Sequence, residues 1–130
     1  MFCIQDFQLR LVSEYSNYEG VLEMYLDERW GVICSHPGWD IRAASVACHQ
    51  MGVGSAISTR ADFSVPYNTP ATLRHVVCEG SELELLDCQH EIIDGSSCRP
   101  VGAVRVQCNP FTSQPMAAGM SLLRATISLL

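Results

Sequence analysis

Residues 29–52, RWGVICSHPGWDIRAASVACHQMG, combine three local patterns that decide the fold. The first six residues predict a strand that ends at Cys34, and the Pro-Gly pair that follows predicts a tight turn. A helix over 41–51 comes next and carries Cys48 on its apolar side. Two cysteines fixed on adjoining elements predict partner cysteines farther along the chain.

Both ends of the predicted helix carry residues that helix ends prefer. The carboxylate of Asp40 suits the N-cap, and Gly52 suits the left-handed position after the last turn. The predicted apolar stripe leaves Val46 outside and comprises Ile41, Ala44, Ala47, Cys48 and Met51.

Three segments near the start of the chain alternate between apolar and polar residues, as half-buried strands do. They span 8–12, 20–27 and 29–34, and the polar links between them are short, which favours an antiparallel meander. The residues predicted to face inward are Leu9, Leu11, Leu22, Met24, Leu26, Trp30, Val32 and Cys34.

The second half of the chain contains two more alternating segments. Residues 71–78 and 102–108 predict strands, the latter with Val104 and Val106 inward. Residues 53–70 show no clear period and predict a long surface loop.

Residues 81–87 predict a short second helix, because a serine and a glutamate stand at capping-box spacing ahead of apolar residues. Its apolar side would be formed by Leu83, Leu85 and Leu86. The predicted fold class is therefore α+β, with antiparallel sheet packed around the helix 41–51 and held by disulfides.

Seven cysteines in 130 residues exceed ordinary usage. A zinc site is the main alternative to disulfides, but such sites use paired ligands at short spacing, and no C-x-x-C pair occurs. The closest approaches are Cys34-x-His36 and Cys88-x-His90. Six cysteines form a series that favours a disulfide framework in an oxidising compartment: Cys34, Cys48, Cys78, Cys88, Cys98 and Cys108.

The chain carries a net charge of −6, and all eight basic residues are arginines. An acidic domain without lysine is poorly suited to bind nucleic acid. The arginines could converge on one face, or they could be scattered, solvated charges, which is the commoner arrangement on small domains.

Neither terminus predicts a targeting segment or a membrane span. The start lacks the basic region, apolar run and cleavage site of a signal peptide, so the export signal of a disulfide-bonded domain is expected elsewhere. Residues 109–130 are interpreted as a linker or tail. Their apolar part, 116–130, is too short to span a bilayer and is interrupted by Arg124, and it is read as the start of a truncated span, a surface helix or a disordered segment.

The order of these motifs resembles the scavenger receptor cysteine-rich (SRCR) domain. The resemblance covers residues 8–108, and its six-cysteine pattern is similar to group A of the family. The residues that carry it are, in order, RLV, EGVLEMY, RWGVIC, GWDIRAASVACHQMG, LRHVVC, ELELLDCQH and GAVRVQC.

The resemblance implies a disulfide pairing, which spacing alone leaves open. The implied bridges are Cys34–Cys98, Cys48–Cys108 and Cys78–Cys88. Cys3 then has no partner. It is interpreted either as the last cysteine of a truncated preceding repeat, in residues 1–7, or as an incidental free thiol.

Family members often hold calcium with two acidic residues after the first framework cysteine and another late in the domain. Here Ser35 and His36 replace the first pair, and Gly102 and Ala103 stand in the late stretch. Calcium needs several hard oxygen ligands, so we expect the chain to lack this site and to use no cofactor.

The same resemblance draws attention to basic residues that stand at or near positions where the family tends to be acidic. They are Arg74, His75, Arg99 and Arg105, and arginine forks suit sulfate, phosphate or carboxylate. This raises the hypothesis of a polyanion site, although Arg105 could simply face solvent on its strand. Tyr67 is the expected exposed aromatic contact.

No catalytic pattern accompanies these features. Cys48 and His49 are adjacent on the predicted helix and point about 100° apart, so they cannot easily form a nucleophile–base pair. The resemblance implies an extracellular module that binds protein or polyanionic ligands, in a scavenger-receptor-like membrane protein or a secreted multidomain protein, beside neighbouring SRCR repeats. The alternative is a non-catalytic accessory domain of a secreted enzyme, such as a protease or a lysyl-oxidase-like enzyme.

Overall fold

The computed structural model describes residues 8–66 and 68–110. Cys3, Tyr67 and the apolar tail 116–130 lie outside these residues. Within the described part of the chain, no helix is long and apolar enough to cross a bilayer. The elements are, in order, β1 (Leu9–Val12), β2 (Glu19–Leu26), β3 (Arg29–Ile33), α1 (Ile41–Gln50), β4 (Ala56–Asp62), β5 (Ala71–Val77), a 3₁₀ helix (Leu85–Asp87), β6 (Gln89–Ile92) and β7 (Ala103–Cys108).

The strands form one sheet in the order β4-β7-β2-β3-β5-β6, and β1 pairs with β2 outside this path. The predicted meander is confirmed, since β1, β2 and β3 pair antiparallel. Asp27 and Glu28 join β2 to β3 with φ of 53° and 68°, the backbone of a two-residue hairpin turn. The sheet is mixed rather than wholly antiparallel, because β3 and β5 run parallel.

The helix α1 is capped as predicted, since Asp40 accepts the backbone N–H of Arg42 and Gly52 adopts a φ of 87°. Its buried face is wider than the predicted stripe. Val46 is fully buried, whereas Ile41 is exposed. The prediction was wrong for Ile41 and Val46, because α1 packs against β4 and β7 as well as the 3₁₀ helix. The residues that the helix buries are Ala43, Ala44, Val46, Ala47 and Cys48, and Met51 is partly buried against the same core.

The sheet buries residues on both faces. Ile33 belongs to the main core beneath α1, and its neighbour Val32 belongs to a second cluster with Ala71 and Cys98. Consecutive residues of β3 are therefore buried, which simple alternation does not predict. Trp30, expected inward, is only partly covered, and the Arg10 guanidinium lies 3.9 Å from its ring centroid.

Three disulfides hold these layers, with the pairing that the family resemblance implies. Cys48–Cys108 joins α1 to the end of β7, and Cys34–Cys98 joins the end of β3 to the segment before β7. Cys78–Cys88 encloses the 3₁₀ helix. The first two bridges close loops of 64 and 60 residues, and each contributes about 4 kcal/mol in the chain-entropy model.

Two strands were not predicted, β4 in the segment interpreted as a loop and β6 after the second cysteine of the Cys78–Cys88 pair. Residues 53–70 contain β4, whose backbone pairs with β7 over six residue pairs, and β6 pairs with β5. Both strands lie at the ends of the sheet order and are largely exposed, so their side chains lack the apolar alternation that marks a half-buried strand.

The short helix predicted over 81–87 was also wrong in extent. Only Leu85–Asp87 are helical, as one 3₁₀ turn, and Leu83 is exposed while Leu85 is buried. The Glu82 carboxylate accepts the backbone N–H groups of Glu79 and Gly80 and so stabilises a turn ahead of the predicted first helical turn.

The buried face of β3 yields a stability prediction. Ile33→Ala is expected to lower the free energy of unfolding by about 2–5 kcal/mol, because Ile33 is fully buried and the change leaves a cavity. Ile57→Ala makes the same change at a residue that is 55% exposed and should alter stability by no more than about 0.5 kcal/mol. Urea unfolding with the disulfides intact measures both values, and equal losses would contradict the described core.

Candidate functional site

A cavity of about 230 Å³ opens beside the Cys34–Cys98 bridge. It lies between the segment that follows β4 and the segment that precedes β7, and Val32 and Ala103 contribute to its wall. Most of the side chains at its mouth are apolar. We use the word mouth for the lining residues whose side chains are exposed or partly exposed, which are Phe63, Val65, Pro66, Thr69, Arg99 and Pro100.

Phe63 is a highly exposed apolar residue of this cavity, with 70% of its surface accessible. Its ring lies over Gly102, where an added Cβ would stand 3.0 Å from two ring carbons. Gly102 also has a φ of 80°, which side-chain-bearing residues rarely adopt. Glycine at 102 is therefore required both by the backbone and by the position of the Phe63 ring.

Asp62 forms the polar part of the wall and is almost completely buried. One carboxylate oxygen accepts the backbone N–H and the hydroxyl of Ser64, at 2.8 and 2.6 Å, and the other accepts from Arg105 at 2.8 Å. These hydrogen bonds, those from Ser64 foremost, lower the pKa of Asp62 despite its burial. Asp62 thus stays ionised and fixes the first residues after β4.

Arg105 links three strands through its guanidinium. Besides Asp62 at the end of β4, it contacts Glu19 at the start of β2 at 2.6 Å, and its side chain is only 19% exposed. The N–H donors of Arg105 are therefore directed at two carboxylates of the same chain, those of Asp62 and Glu19. This arrangement favours a structural role for Arg105 over direct contact with a polyanion.

A second polar cluster lies on the other half of the sheet, where Arg74 and His75 on β5 both contact Glu91 on β6. Arg74 donates to both carboxylate oxygens at 2.9 Å, and His75 Nδ1 lies 3.0 Å from one of them. Hydrogen bonds from Arg74 and then His75 lower the pKa of Glu91 to about 2. We call Arg74, His75, Glu91 and His36 the histidine cluster, since the ring of His36 packs on that of His75.

Burial is the main cause that lowers the pKa of His36, and the nearby His75 and Arg74 lower it further, while Glu91 opposes them. His36 lies in the turn after β3, so the cluster joins three separate parts of the chain. Neither the contact of His36 nor the role of Glu91 had a signal in the sequence.

The predicted ligand-binding residues therefore divide between two places. Arg74 and His75 share Glu91, whereas Arg99 lines the cavity that contains Asp62, the partner of Arg105. Tyr67 lies outside the described residues. Phe63 was missed because it lies in a segment without periodicity.

The two stretches expected to replace the family's calcium ligands meet in space. The backbone N–H of Ser35 donates to the carbonyl of Gly102 at 3.0 Å. The backbones of Cys34 and Ala103 also pair as an isolated antiparallel β-bridge. Their side chains offer one hydroxyl and no carboxylate. Glu91, in the histidine cluster, already accepts two hydrogen bonds from Arg74, whereas a calcium ion prefers several oxygen ligands.

A model of the scavenger receptor cysteine-rich domain matches residues 12–109, nearly the whole described chain. The chain belongs to the scavenger receptor cysteine-rich family. This confirms the resemblance drawn from the motifs, and it identifies an SRCR domain, an extracellular protein-interaction module. Domains of this family are generally non-catalytic modules.

Comparison with known proteins supports the assignment. The chain is 33% identical over 108 residues to lysyl oxidase homolog 4 of Bos taurus, covering 81% of the chain but 14% of that protein. The third SRCR domain of murine neurotrypsin shares 32% identity with a TM-score of 0.64, over 78% of this chain and 94% of that one. The dimeric form of the SRCR domain of mouse MARCO shares 23% identity and, at a TM-score of 0.61 over 82% and 100% of the two chains, shows the same fold.

The buried carboxylate of this SRCR domain yields a pH prediction. In the folded state the pKa of Asp62 lies below its ordinary value of 3.8, so its contribution to stability is present above about pH 4 and is lost as the pH falls through the folded-state pKa. Asp62→Asn is expected to lower the free energy of unfolding at pH 7 by about 1–3 kcal/mol and to flatten its decline in acid.

Asp94→Asn is the matched control, because Asp94 is exposed. Its effect on stability should stay within about 0.5 kcal/mol at pH 7. Urea unfolding between pH 7 and pH 2 measures both variants. An Asp62→Asn variant with wild-type stability and wild-type acid sensitivity would contradict the role given to this carboxylate.

Proposed function

We propose that this SRCR domain is a calcium-independent recognition module of a larger extracellular protein and that it binds a protein partner at the cavity beside Cys34–Cys98. The observation that carries the proposal is the exposed Phe63 ring at the mouth of a cavity with largely apolar walls. Exposed aromatic residues are enriched at protein interfaces and dominate their binding energy.

The size of the cavity favours a protein ligand over a small molecule. Its volume of about 230 Å³ lies below the roughly 300–1,000 Å³ of typical small-molecule pockets. A single apolar side chain of a partner could enter it, flanked by Phe63, Pro66 and Pro100. The wall is also rigid, because a disulfide and the Asp62–Arg105 ion pair hold it, which limits the entropy lost on binding.

A polyanion is the second candidate ligand. The side chains of Arg74 and His75 are 40% and 54% exposed, so both are accessible. Against it stand the net charge of −6 and the carboxylate of Glu91, which already neutralises Arg74. This candidate requires retention of the domain on heparin and loss of that retention in an Arg74→Ala, Arg99→Ala double variant.

The proposed setting is a secreted protein or the ectodomain of a membrane protein with neighbouring SRCR repeats. The family assignment and the three disulfides support an extracellular location. Similarity to lysyl oxidase homolog 4 supports the alternative setting, an accessory domain of a secreted enzyme. The chain spans only 14% of that relative, so a catalytic domain beside it in the full-length gene is the observation that decides between the two.

The cavity proposal is tested with a multivalent form of the domain on a panel of recombinant extracellular proteins. We expect the panel to contain partners whose affinity for the domain falls at least about 10-fold in the Phe63→Ser variant, because truncating a central aromatic contact commonly costs 2 kcal/mol or more of binding free energy. Leu83→Ser is the matched control, because Leu83 is 81% exposed and lies outside the cavity lining. Its binding should equal that of the wild type.

Removing calcium with EGTA should leave the binding of such partners unchanged. The proposed site would be contradicted by partners whose binding is equally sensitive to Phe63→Ser and Leu83→Ser. It would also be contradicted if the domain bound heparin but no protein of the panel.

A further inference from the structure

Two histidines that are far apart in sequence meet in the histidine cluster. The ring centroids of His36 and His75 lie 4.1 Å apart, with an angle of 44° between the ring planes. His75 is about half exposed, and His36 is partly exposed. Both imidazoles can therefore be reached from solvent.

Glu91 orients the ring of His75. Its carboxylate lies 3.0 Å from Nδ1 and is itself held by two hydrogen bonds from Arg74. When Nδ1 carries the proton and donates to Glu91, the lone pair of His75 lies on Nε2. A carboxylate that fixes the tautomer in this way is the usual outer-sphere partner of a metal-binding histidine.

An ion pair lies beside the two imidazoles. The charges of Arg74 and Glu91 cancel in their ion pair, and neutral imidazoles suit divalent transition metals rather than calcium. The compact group of three candidate ligands found in the described residues is Cys78, Glu82 and Cys88, and both of its sulfurs are consumed by a disulfide.

We propose that His36 and His75 form a site for a divalent transition-metal cation such as Zn²⁺, with Glu91 as the residue that orients His75. The two imidazoles supply the protein ligands, and water completes the coordination. This site is independent of the cavity and departs from the expectation of no metal, because that expectation concerned the missing carboxylates of a calcium site.

The test is a calorimetric titration of the intact chain with ZnCl₂ at pH 7.5, above the ordinary histidine pKa of about 6.5. All proteins carry Cys3→Ser, which removes the thiol that the framework bridges do not use. We expect one saturable site that weakens at least about 10-fold in His36→Ala and in His75→Asn, and by about 10–100-fold in Glu91→Gln. Asparagine is chosen at 75 because it tolerates the φ of 57° there.

His49→Ala is the matched control, since His49 is hydrogen-bonded to Ser55 outside the cluster, and its binding should equal that of the parent. A second readout is the NMR spectrum of the protons bound to the imidazole carbons. The signals of His36 and His75 should shift when ZnCl₂ is added. Unchanged affinity in the His36 and His75 variants, or no saturable binding up to about 1 mM, would overturn the proposal. Each variant is also unfolded by heat without metal. A midpoint equal to that of the parent shows that the lost Zn²⁺ affinity does not come from a loss of folding.

Discussion

The bridge between Cys48 and Cys108 is the constraint on which the other features depend. It fixes the buried face of α1 to β7, a strand that pairs with both β4 and β2. Because β7 lies inside the sheet order, this one covalent link sets the position of the helix against several strands at once. The small residues Ala43, Ala44 and Ala47 then allow the helix to approach the sheet closely.

The two candidate sites arise from this scaffold in different ways. The cavity exists because Cys34–Cys98 holds the segment before β7 against β3, while the Asp62–Arg105 ion pair fixes the segment after β4. The histidine cluster exists because β5 pairs with β3 on one side and with β6 on the other, which brings the turn after β3 and Glu91 to the same place.

Local patterns in the sequence predicted the helix and the strands that bury one apolar face. They did not predict the elements whose buried residues recur with neither the helical nor the strand period. The caps of α1 and the alternation of β1 to β3 were sufficient to place them. The edge strands β4 and β6 bury little, so they left no periodic signal, and the 81–87 helix was wrong because Glu82 caps a turn instead. The pairs His36–His75 and Asp62–Arg105 are contacts across the fold, and no local pattern contains them.

The account rests most heavily on the claim that this member keeps the SRCR scaffold without the family's calcium-dependent recognition. Where carboxylates are expected, the chain places Ser35, His36 and Gly102. Weak extracellular calcium modules bind with a Kd of about 0.1–1 mM, so a calorimetric titration with CaCl₂ into the low millimolar range is decisive. The account predicts no saturable heat, and a calcium site tighter than about 1 mM would contradict it.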